Sequence, residues 1–170
     1  MINGGVDTQR LFPHDLPDCS LADKAAVVSG WLDANRSELG IGRENRIARL
    51  CRITRASAGS TVGPGESAYL ELVQSLKDVQ EYWLIVEVLG ERLLNEPFRE
   101  VLVRSFRDSA LPKDSSSHTP GRDAQFELFI AAIAARASLS VERVSDDGAD
   151  WIVSTPVNRW SLEAKRITSE

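Results

Sequence analysis

Gly148-Ala149-Asp150-Trp151-Ile152-Val153-Ser154, then Thr155-Pro156-Val157-Asn158, then Arg159-Trp160-Ser161-Leu162-Glu163-Ala164-Lys165-Arg166: this stretch decides how the chain is read. Two β-prone runs flank a short link containing proline, which predicts a hairpin. Thr155–Asn158 suits a type I turn, with Pro156 where its ring pre-sets φ and Asn158 near the exit. Ser154 then faces Arg159. Paired positions in an antiparallel ladder keep a constant sum, so Asp150 falls opposite Glu163. Side chains alternate between faces along a strand. Asp150, Glu163 and Lys165 therefore share one face, and Trp151, Trp160 and Leu162 share the other, where the two tryptophans are expected to pack the sheet against a helix.

Directly opposed residues place their Cβ atoms about 4.5–5.5 Å apart, where two like charges destabilise a sheet unless something compensates. A divalent cation is one compensator, because hard ions such as Mg²⁺ are held by one or two carboxylates together with waters and phosphates. The plainer alternative is a solvated face with a cross-strand ion pair worth less than about 1 kcal/mol.

Working outward, residues 109–121 are rich in Ser and Pro and form the best linker in the sequence. They predict a boundary between a helical domain over 1–110 and a second unit over 122–170, with 111–121 as the link. A helix is expected from Arg122 to Ala137, with a core face of Phe126, Phe129, Ile130 and Ile133 and with Glu127 on the next face beside Ala131 and Ala134. Strands are expected at 139–145, 150–154 and 159–166.

The helix-hairpin segment resembles the PD-(D/E)XK nuclease superfamily, whose core is a helix followed by a hairpin carrying Asp and then Glu/Asp-X-Lys. Asp150 matches the motif Asp, Glu163 the second acid and Lys165 the lysine; Ala149 stands where the superfamily name has Pro. Glu127 matches the further active-site Glu that many members carry on the first core helix. The resemblance covers residues 119–170. It implies a restriction endonuclease-like core within an α+β or α/β chain, and a metal-dependent nuclease using Mg²⁺ or Mn²⁺. In that reading Asp150 and Glu163 are ligands, Lys165 positions or activates water, and Glu127 assists. It also implies DNA as the substrate, and by analogy a role in restriction, repair or defence. Members normally continue beyond the lysine with another helix and a final strand. The expectation is accordingly that the core is incomplete at its C-terminus and that the chain is a piece of a longer protein.

The remaining sequence reads as helices over about 20–40, 43–55, 66–89 and 96–107. In the second of these Arg43, Arg46, Arg49, Arg52 and Arg55 recur every third residue, and such steps spread side chains over much of a helix surface. Arg43, Arg46 and Arg49 are candidate phosphate contacts; a solvated face partly paired with Glu38 or Glu71 is the simpler reading. Trp31 and Trp83 are expected in the core. The same helices also admit a second function, a non-catalytic protein-interaction module beside a degenerate nuclease-like domain, self-associating or binding a protein partner.

Composition narrows the classes further. A chain of 170 residues with 42% hydrophobic content can bury one good core or two small ones, and a net charge of −5 excludes a generally basic nucleic-acid coat. Cys19 and Cys51 are too few for a disulfide framework or a four-ligand zinc site, which suggests a reducing compartment. There is no long apolar run and no signal-peptide pattern, so cytoplasm with no membrane partner is the expectation.

Overall fold

Ser20 begins the first helix by a reciprocal cap. Its hydroxyl accepts from the Asp23 N–H, and the Asp23 carboxylate accepts from the Ser20 N–H. The computed structural model describes residues 19–58, 67–108, 119–143 and 150–164. Helix α1 runs Leu21–Leu39 and ends at Gly40, which takes the left-handed conformation at φ 65° that a residue without Cβ adopts freely. Asn45 caps α2, Arg46–Ala56, by accepting from the Ala48 N–H. Helix α3 covers Ser67–Leu89 and passes into a 3₁₀ turn over Gly90–Leu94. Helix α4 covers Phe98–Ser105, and α5 covers Pro120–Arg136 with its proline in the first turn, where the missing N–H is least costly.

Three short strands follow: β1 at Ser140–Glu142, β2 at Trp151–Ser154 and β3 at Arg159–Leu162, antiparallel in the order β1-β2-β3. The architecture is mostly helical with one small sheet, an α+β arrangement. The predicted hairpin register holds. Ser154 pairs with Arg159 and Trp151 with Leu162, and the Asp150 N–H donates to the Leu162 carbonyl at 3.0 Å. The turn is fastened by the Thr155 hydroxyl, which accepts from the Val157 and Asn158 N–H groups.

Buried side chains form one cluster, from Ala25 and Val28 in α1 through α2, α3, α4 and α5 to Val141 and Trp151 in the sheet. Helix α3 is central, packed against α1, α2 and α5, while α5 also packs along α4. The segments on the two sides of the predicted boundary thus contribute to the same cluster. Most of the linker, 109–118, lies outside the described residues. Its two ends meet directly: the Asp108 carboxylate accepts from the Arg122 N–H at 2.9 Å, and Gly121 lies so close that an added Cβ would stand 2.9 Å from Asp108 Cγ.

Two assignments made from apolar pattern are corrected. In α5 the inward residues are Ala124, Gln125, Glu127, Leu128, Ala131, Ala132 and Ala134, whereas Ile133 is exposed and Phe126, Phe129 and Ile130 are half-buried. Small side chains let α5 lie close to α3 and α4, so the alanine face wins over the face with the larger residues. Trp151 is fully buried, stacked on Phe98 with ring centroids 4.8 Å apart. Trp160 shares its face yet is 44% exposed, because β3 is an edge strand beyond the reach of the helices. Trp83 is buried as expected, and Trp31 is half-buried against the core.

Candidate functional site

The hairpin is tied to α5 by Trp151, whose indole N–H donates to the Glu127 carbonyl at 2.9 Å. That bond sets the helix beside the start of β2 and brings Glu127 within electrostatic range of Asp150. Asp150 Oδ2 accepts from the Ala164 N–H at 2.6 Å, which closes the open end of the hairpin. Glu163, between Leu162 and Ala164, is exposed. Asp150 and Glu163 thus flank the last paired residues, Trp151 and Leu162, at the open end of the hairpin. The Asp150 N–H goes to Leu162 and not to Glu163, so the ladder does not extend to the expected Asp150–Glu163 pair. Lys165 lies outside the described residues.

Glu127 is buried, and its carboxylate is met by the Arg104 guanidinium, with Nη2 at 2.7 and 2.6 Å from the two oxygens. Burial pushes its carboxyl above the ordinary range, Arg104 opposes that rise, and the charge of Asp150 adds to it. Arg104 was not among the residues singled out by sequence. The helical spacing that puts it on the α5-facing side of α4 is visible only once α4 and α5 are known to be neighbours.

Asp150 and Glu163 are hard oxygen donors of the class Mg²⁺ and Mn²⁺ take, and Asp150 keeps Oδ1 free of hydrogen bonds among the described residues. They fit a two-carboxylate ion site in donor chemistry. Glu127 fits less directly, because both its oxygens are engaged by Arg104. Among the described residues no group of three or more His, Cys, Asp or Glu side chains is arranged to hold a metal ion.

The arginines of α2 separate into different environments. Arg46 is 4% exposed and enters the core, where it pairs with Asp78 at 2.8 Å and donates to Gln125. This removes Arg46 from the candidate phosphate contacts: a guanidinium spent on buried partners offers nothing to solvent. Arg122 reaches the same Asp78 oxygen at 3.1 Å, and Tyr82 donates to the Ser105 hydroxyl at 2.6 Å beside them. Arg49 pairs with Glu71 at 2.6 Å, one of the partners expected for a solvated face. Arg43 is exposed.

Among the described residues no helix is long and apolar enough to cross a membrane. Comparison of the chain with family models, with curated proteins and with solved structures finds no match.

Proposed function

We propose that α5 and β1–β3 form a restriction endonuclease-like core and that the protein is a metal-dependent nuclease hydrolysing phosphodiester bonds in DNA. The single observation that supports this most is the hairpin, Trp151–Ser154 paired with Arg159–Leu162 in the expected register, with Asp150 and Glu163 at its open end and Glu127 of α5 within electrostatic range of Asp150. Helix α5 followed by the β2–β3 hairpin is also the order of elements in the resemblance. Asp150 and Glu163 would hold the ion; a bound Mg²⁺ or Mn²⁺ would supply charge stabilisation at the scissile phosphate and a water of lowered pKa. Lys165, two residues beyond Glu163 in the sequence, would orient that water or offset developing negative charge. Glu127 acts from behind Asp150, its charge balanced by Arg104.

The engagement of both Glu127 oxygens by Arg104 favours a second reading, in which the nuclease-like unit is degenerate and the helices form a non-catalytic interaction module. One experiment separates the two. The protein is incubated with supercoiled, linear and single-stranded DNA and with RNA in Mg²⁺ or Mn²⁺, alongside Glu163→Ala and Lys165→Ala. Metal-dependent cleavage lost in both variants supports the hydrolase. Cleavage undiminished in Glu163→Ala, or none with any substrate, favours the interaction module.

A further inference from the structure

Helices α1 and α2 enclose a cleft of about 540 Å³ whose lining includes four arginines, Arg36, Arg43, Arg52 and Arg55, and two acids, Asp33 and Glu44. The lining side chains thus carry a surplus of two positive charges in a protein whose net charge is −5. Both acids are already paired. Arg52 grips Glu44 through Nη1 and Nη2 at 3.1 and 2.6 Å, and Arg36 pairs with Asp33. The Glu44 carboxyl is held below the ordinary range, chiefly by its hydrogen bond to Arg52 and that residue's charge, with Arg36 contributing less. Arg43 and Arg55 make no ion pair among the described residues. Arg36 Nη1 is buried with no hydrogen-bond partner, a donor still to be satisfied.

We propose that this cleft binds a phosphate-bearing ligand of mononucleotide size, gripped by Arg43 and Arg55 with Arg36 behind them. Guanidinium forks match the oxygens of a phosphate in plane and spacing, which the point charge of a lysine does not. A phosphate monoester carries about −1.5 to −2 charges at neutral pH, the complement of the surplus in the cleft. The volume falls within the roughly 300–1,000 Å³ of small-molecule sites and is far larger than one carboxylate needs. Leu32 and Ala48 supply an apolar wall for the rest of the ligand. Glu44 is an internal competitor, its carboxylate occupying the Arg52 fork that ligand oxygens would otherwise take. The proposal does not depend on the nuclease reading, since the cleft shares no residue with the hairpin.

Isothermal titration of the chain with inorganic phosphate, a 5′-mononucleotide and a short single-stranded oligodeoxynucleotide without terminal phosphate tests it. The mononucleotide is expected to bind saturably. The double variant Arg43→Gln/Arg55→Gln, which breaks no ion pair, should weaken binding by at least about tenfold, as expected for losing charge-assisted hydrogen bonds. Glu44→Gln should tighten it several-fold by removing the competitor. Binding of the oligonucleotide without the mononucleotide would identify the phosphate source as a nucleic-acid backbone, and the converse a free ester; either keeps the phosphate assignment. Absence of saturable binding by all three probes, or affinity unchanged in the double variant, overturns it.

Discussion

Asp78 in α3 and Arg46 in α2, 32 positions apart in sequence, meet at 2.8 Å with side chains only 1% and 0% exposed. Arg122 of α5 joins the same oxygen, so one buried acid ties three helices together. Removing one partner of a buried pair strands the other charge, at a cost of about 3–5 kcal/mol. Asp78→Ala, which strands two arginines, is expected to lose that much in denaturant unfolding. Arg46→Met should cost less, about 1–3 kcal/mol, because Asp78 keeps Arg122. Equal losses would show that Asp78 does not anchor both.

Glu127 gives a pH signature. Its carboxyl is raised by folding, so it binds its proton more tightly in the folded chain. That contribution to stability is fully present below the ordinary value of 4.5 and is lost as pH climbs through the folded value. Glu127→Gln cannot titrate. The stability of the wild type relative to Glu127→Gln is therefore expected to fall as pH rises above 4.5, read from urea midpoints across a pH series. A flat difference would mean that the Arg104 pair fully offsets the burial.

Asp150 combines a structural hydrogen bond with local negative charge. Asparagine keeps an oxygen for the Ala164 N–H and relieves repulsion with Glu163 and Glu127, so Asp150→Asn without metal should melt at or above the wild-type temperature. Asp150→Ala loses the acceptor and should be less stable by about 1–3 kcal/mol. If the site holds an ion, Mg²⁺ or Mn²⁺ will raise the melting temperature of the wild type and not of Asp150→Asn. An Asp150→Asn variant clearly less stable than the wild type, with no metal-dependent shift in either, would make the acid purely structural.

Cys51 is fully buried, and burial pushes its thiol up to about 11. Only the thiolate is a nucleophile, so in the folded protein a thiol reagent at neutral pH should modify half-buried Cys19 first. Cys51 should react only at the rate of unfolding. Mass spectrometry of a time course with and without denaturant will show one rapid modification in the folded chain and two in the unfolded chain.

The hairpin was legible because its determinants are local: a proline and an asparagine fix the turn, and the turn fixes every pairing. The helix ends were legible for the same reason, as in the Ser20 cap and Gly40. The interior face of α5 was not, because choosing between its alanine side and its phenylalanine side requires knowing how close α3 and α4 approach. Burial of Arg46 was equally hidden. An arginine among five at regular spacing carries no mark of its own, and its partners Asp78 and Gln125 lie 32 and 79 positions away. The Arg104–Glu127 pair and the basic cleft between α1 and α2 likewise arise from tertiary neighbours, leaving only the excess of arginine visible in the sequence.

The contact of Asp108 with Gly121 and Arg122 changes what the intervening chain can be asked to tolerate. Since positions 108 and 121 are held together by their own packing and hydrogen bond, the span between them closes a loop whose ends are already fixed. Lengthening such a loop costs only about 0.6 kcal/mol per doubling. A peptide tag or a protease recognition sequence inserted between 109 and 118 should leave the fold intact, and cutting there should yield two pieces that stay associated through α3, α4 and α5. Gly121→Ala, which brings a methyl group to 2.9 Å from Asp108 Cγ and 3.1 Å from its backbone nitrogen, is the change that should weaken the join between the two ends.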